Sequence, residues 1–154
     1  MDEENIMRKE LVIRGQTASG EQRILEFGGF KESYAYKLVE LEIYPSTGIG
    51  SANDELTASI TAGKTAVAPT DPNYNSEGLI GTAILFLGSG AGDPPLQHTV
   101  VNDTFLITQN LILMVQNTNA GTPVNWQCRF ISHKMSAGEE AATNFKQFQV
   151  SDGS

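Results

Sequence analysis

Residues 104–132 read TFLITQNLILMVQNTNAGTPVNWQCRFIS, and the fold class turns on this stretch. Its second half alternates strictly: Val124, Trp126, Cys128 and Phe130 fall on one face, Asn125, Gln127 and Arg129 on the other. A two-residue period with one apolar and one polar face is a strand whose sheet is buried on one side and wet on the other. The first half, Phe105 to Val115, puts Phe105, Ile107, Leu111, Leu113 and Val115 on one face but Leu106, Ile112 and Met114 on the other, so both faces are expected to be covered. Between the halves, Asn117 to Pro123 holds residues that tolerate positive φ and a proline that donates no ladder hydrogen bond. That composition predicts a chain reversal and a central β-hairpin. A strand over Phe105–Val115 would span on the order of 35 Å at about 3.3 Å per residue, which suits a sandwich better than a small barrel.

Working outward, the same period recurs. Leu11-Val12-Ile13 and Arg23 to Phe27 read as short strands, separated by a loop over Gly15 to Gly20. In Tyr36 to Tyr44, Val39, Leu41 and Ile43 face one way and Glu40 and Glu42 the other. Leu56, Ala58, Ile60 and Ala62 alternate with Glu55, Thr57, Ser59 and Thr61. The apolar run Leu79 to Leu87 predicts a strand covered on both faces or lying at a subunit interface, and Thr99-Val100-Val101 is another short strand. Ser136 and Glu139 have capping-box spacing, and Ala141, Ala142, Phe145 and Phe148 recur at helical intervals, which predicts one short helix from about Ala137 to Phe148. The expected fold is all-β: a two-sheet antiparallel sandwich, a single jelly roll of about eight strands with one short C-terminal helix. It is expected over residues 11–150, after a charged N-terminal arm, 1–10, and before a loose tail, 151–154.

Composition narrows function by exclusion. The 154 residues carry a net charge of −8 with no Lys/Arg cluster, so a phosphate backbone is repelled and direct nucleic-acid binding is not expected. No apolar run reaches the roughly 20 residues needed to span a membrane, and the opening Met1-Asp2-Glu3-Glu4-Asn5 is acidic where a secretory signal is basic, which predicts a soluble chain made in a cytoplasm. Cys128 is the single cysteine; beside Trp126 and Phe130 on the apolar face it reads as a packing residue. Asn102-Asp103-Thr104 matches a glycosylation acceptor but occurs without a secretion signal.

Motifs that carry chemistry are incomplete. Asp71, Asn73, Asn75 and Glu77 alternate like the first half of a calcium loop, yet Ser76 stands where glycine is needed and Thr82 where a bidentate glutamate is needed. Gly88-Ser89-Gly90-Ala91-Gly92 follows a strand but runs into Asp93-Pro94-Pro95 instead of a helix N-terminus. His98 and His133 lack a paired-ligand spacing. No cofactor or metal is therefore expected, and no enzymatic activity. Tyr34, Tyr36, Tyr44 and Tyr74, with nearby Asn and Asp, could stack on and hydrogen-bond sugars, which makes a carbohydrate-binding, lectin-like module the alternative reading.

Three stretches together, Tyr36-Lys37-Leu38-Val39-Glu40-Leu41-Glu42-Ile43-Tyr44-Pro45, Glu55-Leu56-Thr57-Ala58-Ser59-Ile60-Thr61-Ala62-Gly63, and Val124-Asn125-Trp126-Gln127-Cys128-Arg129-Phe130 leading into Ser136-Ala137-Gly138-Glu139-Glu140, resemble jelly-roll structural proteins of tailless icosahedral marine bacteriophages. The resemblance covers about residues 36–148 and is one of strand order and texture. It implies a virion coat or accessory capsid protein, assembled in a host cytoplasm, whose partners are copies of itself and other virion proteins, with a glycan on a host surface under the lectin reading. No catalytic residue carries over. The acidic charge departs from coats that line a genome and implies a position facing outward, or over a membrane or another shell. The contact candidates are Glu3, Arg8 and Lys9 in the arm, Asp71, Asn73 and Tyr74 in the long loop, and Phe145 and Phe148 on the helix.

Overall fold

The structure is a computed structural model that describes residues 10–27, 34–46, 54–63, 65–87, 96–118 and 121–143. Among these lie eight strands: β1 (Glu10–Thr17), β2 (Gln22–Leu25), β3 (Tyr34–Pro45), β4 (Asp54–Ala62), β5 (Leu79–Leu87), β6 (Leu96–Val101), β7 (Leu111–Asn117) and β8 (Val124–Lys134). They form two antiparallel sheets, β1-β8-β3 and β2-β7-β4-β5-β6. The pairs β1–β8, β2–β7 and β4–β5 nest from the chain ends toward its middle, which is the wrapping of a jelly roll. The remaining nested pair, β3 with β6, forms no ladder: β6 pairs with β5, and β3 pairs with β8 on one edge and bridges to Ile107 on the other, with Tyr36 and Ile107 exchanging N–H···O bonds of 2.9 and 2.7 Å. The two sheets are therefore unequal.

β8 holds the smaller sheet together because it is the middle strand. Val124, Trp126, Cys128 and Phe130 are all buried, as their alternation requires, with Cys128 opposite Ile13 on one side and Leu41 on the other. The indole Nε1–H of Trp126 donates to Thr17 Oγ1 at 2.9 Å, so this buried donor is satisfied.

The expected central hairpin does not form. β7 and β8 follow one another but lie in different sheets, facing each other across the core instead of sharing a ladder. Both strands carry an apolar face, and stacking those faces buries both; the turn, with Gly121 at φ 73°, lets the chain cross over. Nor is Phe105–Val115 one strand. β7 begins at Leu111, while Phe105 and Ile107 are buried in a connection that bridges to β3. Each half buries its apolar residues against a different sheet, so the apolar pattern is continuous although the strand is not.

Two other expectations shift for local reasons. β1 continues through Gly15 to Thr17, because the glycine leaves room for Trp126: a Cβ there would sit 3.0 Å from Trp126 Cζ2. In β3 the register slips between Leu38 and Glu40, making Val39 a bulge residue. One extra residue reverses the phase, so Leu38 is fully buried with Leu41 and Ile43, and Val39 is not.

The long segment after β4 explains why that strand is buried on both faces. Thr57, Ser59 and Thr61 point away from the core, yet all are buried beneath residues 65–78. Ser59 Oγ donates to the Val67 carbonyl, Val67 N–H donates to Thr61 Oγ1 at 3.1 Å, and the Tyr74 and Thr82 hydroxyls lie 2.8 Å apart. At the other end of the chain, residues 137–143 are helical. The capping box forms as the spacing predicts: Glu139 N–H donates to Ser136 Oγ at 3.2 Å, and Ser136 N–H to Glu139 Oε1 at 3.1 Å. The rest of the expected helix lies outside the described residues.

Candidate functional site

Of the contact candidates, Glu3, Arg8, Lys9, Phe145 and Phe148 lie outside the described residues, as does the Gly88–Gly92 loop. Asp71, Asn73 and Tyr74 are exposed on the segment that covers β4. Asn73 is used locally: its Oδ1 accepts the Asn75 N–H at 3.0 Å and its carbonyl accepts the Ser76 N–H at 2.9 Å, two bonds that make a tight turn. Tyr74 is anchored through Thr82 and presents its ring to solvent.

The two histidines are far apart in role. His98 is exposed on β6, and His133 Nε2 lies 3.4 Å from Glu139 Oε2. The Ser136 backbone N–H, with His133 beside it, holds the Glu139 carboxyl below its ordinary range. Burial pushes the Cys128 thiol up to about 12, which removes the nucleophilic thiolate at neutral pH. Among the described residues, no three His, Cys, Asp or Glu side chains cluster as a metal site.

One feature that the residue pattern did not indicate is a groove of about 530 Å³ on the outer face of the smaller sheet. Register sets its composition. Across β1, β8 and β3 the aligned rows are Gln16–Asn125–Tyr44, Arg14–Gln127–Glu42 and Val12–Arg129–Glu40. The first two rows line the groove through Arg14, Glu42, Tyr44, Asn125 and Gln127, and Gln97 of β6 closes one end. Gln16 Nε2 donates to Asn125 Oδ1 at 2.9 Å, and Arg14 Nη1 reaches Gln127 Oε1 at 3.4 Å. In the third row Arg129 donates to Glu10 at 2.9 Å and to Glu40 at 3.1 Å, clamping all three strands from the wet side. These ions are substantially exposed, so the clamp contributes little to stability. Period two located the polar faces; only the pairing of β1 and β3 with β8 assembled them. Neither histidine lines this groove.

A second kind of surface is apolar. Val12, Ile24, Tyr44, Tyr74, Phe86, Leu96 and Val100 are large exposed side chains. They are not one patch: Val12 and Tyr44 lie on the smaller sheet, Ile24 on β2, Tyr74 on the covering segment, and Phe86, Leu96 and Val100 at the far side of the larger sheet.

No family model matches the chain, and no curated protein matches it. Solved structures do. One comes from Bacillus endospore appendages, described as a novel family of disulfide-linked pili; it is 15% identical, covers 84% of this chain and 88% of that one, and has a TM-score of 0.37.

Proposed function

We propose that this protein is a non-enzymatic structural subunit that works by self-assembly and by contacts with other shell proteins, and that it is a coat or accessory capsid protein of a virion. The observation that carries this reading is the scatter of exposed apolar side chains over both sheets, an edge strand and the covering segment. A subunit that meets neighbours on several sides needs contact surface on several sides, whereas a binding module concentrates it in one place. The resemblance to phage jelly-roll proteins supports the capsid assignment. The charge of −8 favours a place away from the genome. Glu3, Arg8, Lys9, Asp71, Asn73, Tyr74, Phe145 and Phe148 are the proposed contacts.

The test is the mass of the purified chain by light scattering across protein concentration, with negative-stain microscopy of each fraction. Rings, closed oligomers or shells that grow with concentration are expected. A monomer at every concentration that binds a glycan would replace this reading with the lectin-like one.

That second reading rests on the groove. Its volume falls within the 300–1,000 Å³ typical of small-molecule sites, and it offers the tyrosine ring of Tyr44 beside the Arg14, Glu42, Asn125 and Gln127 side chains. Under it, a glycan array returns a ligand whose binding is lost in Tyr44→Ala. An array blank for the wild-type chain removes it.

A further inference from the structure

Among the described residues four strands end a sheet: β1 and β3 in the smaller, β2 and β6 in the larger. A sheet edge leaves a row of backbone N–H and C=O groups free to pair with another chain, and proteins block such edges with charge, proline, bulges or brevity. Three of the four carry a block. β1 has Glu10 and Arg14, β2 is only 4 residues long and includes the exposed Arg23, and β3 has Lys37, Glu40, Glu42, a bulge and a terminal Pro45. β6, Leu-Gln-His-Thr-Val-Val, has no charged residue, no proline, no glycine and an unbroken register with β5.

β6 lies close to β3 without forming a ladder with it, and much of the strand is exposed. On its outer face Leu96 is 51% and Val100 38% exposed, and Phe86, paired with Leu96, is 36% exposed. On its inner face Gln97 is exposed as well. The backbone direction is readable: Asn102 N–H donates to the Ile80 carbonyl at 2.8 Å, so the N–H groups of Val100 and His98 point the same way, toward β5. Those of Gln97, Thr99 and Val101 point to the open edge, where no described strand pairs with them.

We infer that β6 is a pairing edge and that its partner is β6 of a second copy of this chain, laid antiparallel about a two-fold axis near His98 and Thr99. The strand is self-complementary under that operation. Leu96 stands at one end, Val100 and Val101 at the other, and the polar His98-Thr99 between, so reversal sets an apolar end against an apolar end. Charge points to the same place. Two copies carrying −8 each repel over most of their surface, and β6 is the edge at which they meet without a charged side chain. The inference deepens the assembly reading and rests on it.

The test compares the full chain with Val100→Lys, which puts like charges at the joint, and with Thr99→Pro, which removes an N–H that points to the open edge and is not used within the sheet. Ile24→Lys, the same charge on the β2 edge, is the control, and circular dichroism verifies folding of each. Light scattering is expected to show the first association step weakened by about tenfold or more in either β6 variant and unchanged in the control. His98→Cys or Thr99→Cys is expected to give a disulfide dimer under mild oxidation, whereas the parent chain, with Cys128 buried, does not. If the wild-type chain assembles and the β6 variants assemble equally well, the β6 contact is wrong and the assembly reading stands. If the wild-type chain stays a monomer and neither cysteine variant cross-links, both fail.

Discussion

Asn117, at the end of β7, ties three parts of the larger sheet's rim together. Its Nδ2 donates to Asp54 Oδ1 and to Thr122 Oγ1, each at 3.0 Å, its Oδ1 accepts the Glu55 N–H at 3.3 Å, and its backbone N–H donates to Ser19 Oγ at 2.8 Å. Asp54 is almost fully buried, so Asn117→Ala strips a buried carboxylate of its donor as well as losing its own bonds. The expected cost is about 2–3 kcal/mol, read as a lower midpoint in denaturant with an unchanged slope. Cys128 makes a second residue-scale prediction. Because burial lifts its pKa to about 12, a thiol reagent at neutral pH should label it only as fast as the protein opens, and prompt labelling of the native chain would contradict its place in the core. Its packing role was legible from its neighbours in an alternating strand. The Asn117 cluster was not, because its members are distant in sequence and polar residues at strand ends are ordinary.

At the scale of elements, the helix start was the most legible feature. Capping is a contact between residues three apart, so spacing alone predicts it, and Ser136 and Glu139 do cap reciprocally. The Glu139 carboxyl is held below its ordinary range, chiefly by the Ser136 N–H. A depressed carboxyl stabilises the fold above the ordinary glutamate value, about 4.3, and that contribution disappears as pH falls through the lower folded value. The protection factors of residues 137–143, taken against the intrinsic exchange rate at each pH, are therefore expected to fall on acidification through that window, and Glu139→Gln is expected to flatten that pH dependence. The strands were legible less evenly. β8 followed its alternation, but the β3 bulge reversed the phase at Val39, and a bulge leaves no mark that alternation can register. Gly15 read as the start of a loop because glycine marks loops more often than it makes room for an indole.

At the scale of the molecule, charge and shape act against each other. A chain at −8 repels its copies over distances that salt shortens, from about 10 Å at 0.1 M to about 3 Å at 1 M, while apolar and backbone contacts at an uncharged edge are not weakened by salt. Self-association is accordingly expected to strengthen as sodium chloride rises from about 0.05 to about 0.5 M. An association that weakens instead would identify ion pairs, such as those open to Arg8 and Lys9 of the arm, as the main contact. The groove belongs to this scale too, because its residues come from β1, β3, β6 and β8 and meet only through register.

The residue pattern alone established an all-β chain of about eight strands, the buried face of β8, the helix cap and the acidic surface, because period, spacing and charge are local or additive properties. Which strands pair, that β7 and β8 face each other across the core, that β4 is roofed by the segment after it and that β6 has no described strand on its outer edge are matters of tertiary structure. They depend on the competition among many apolar faces for the same core, and no single stretch contains the terms of that competition.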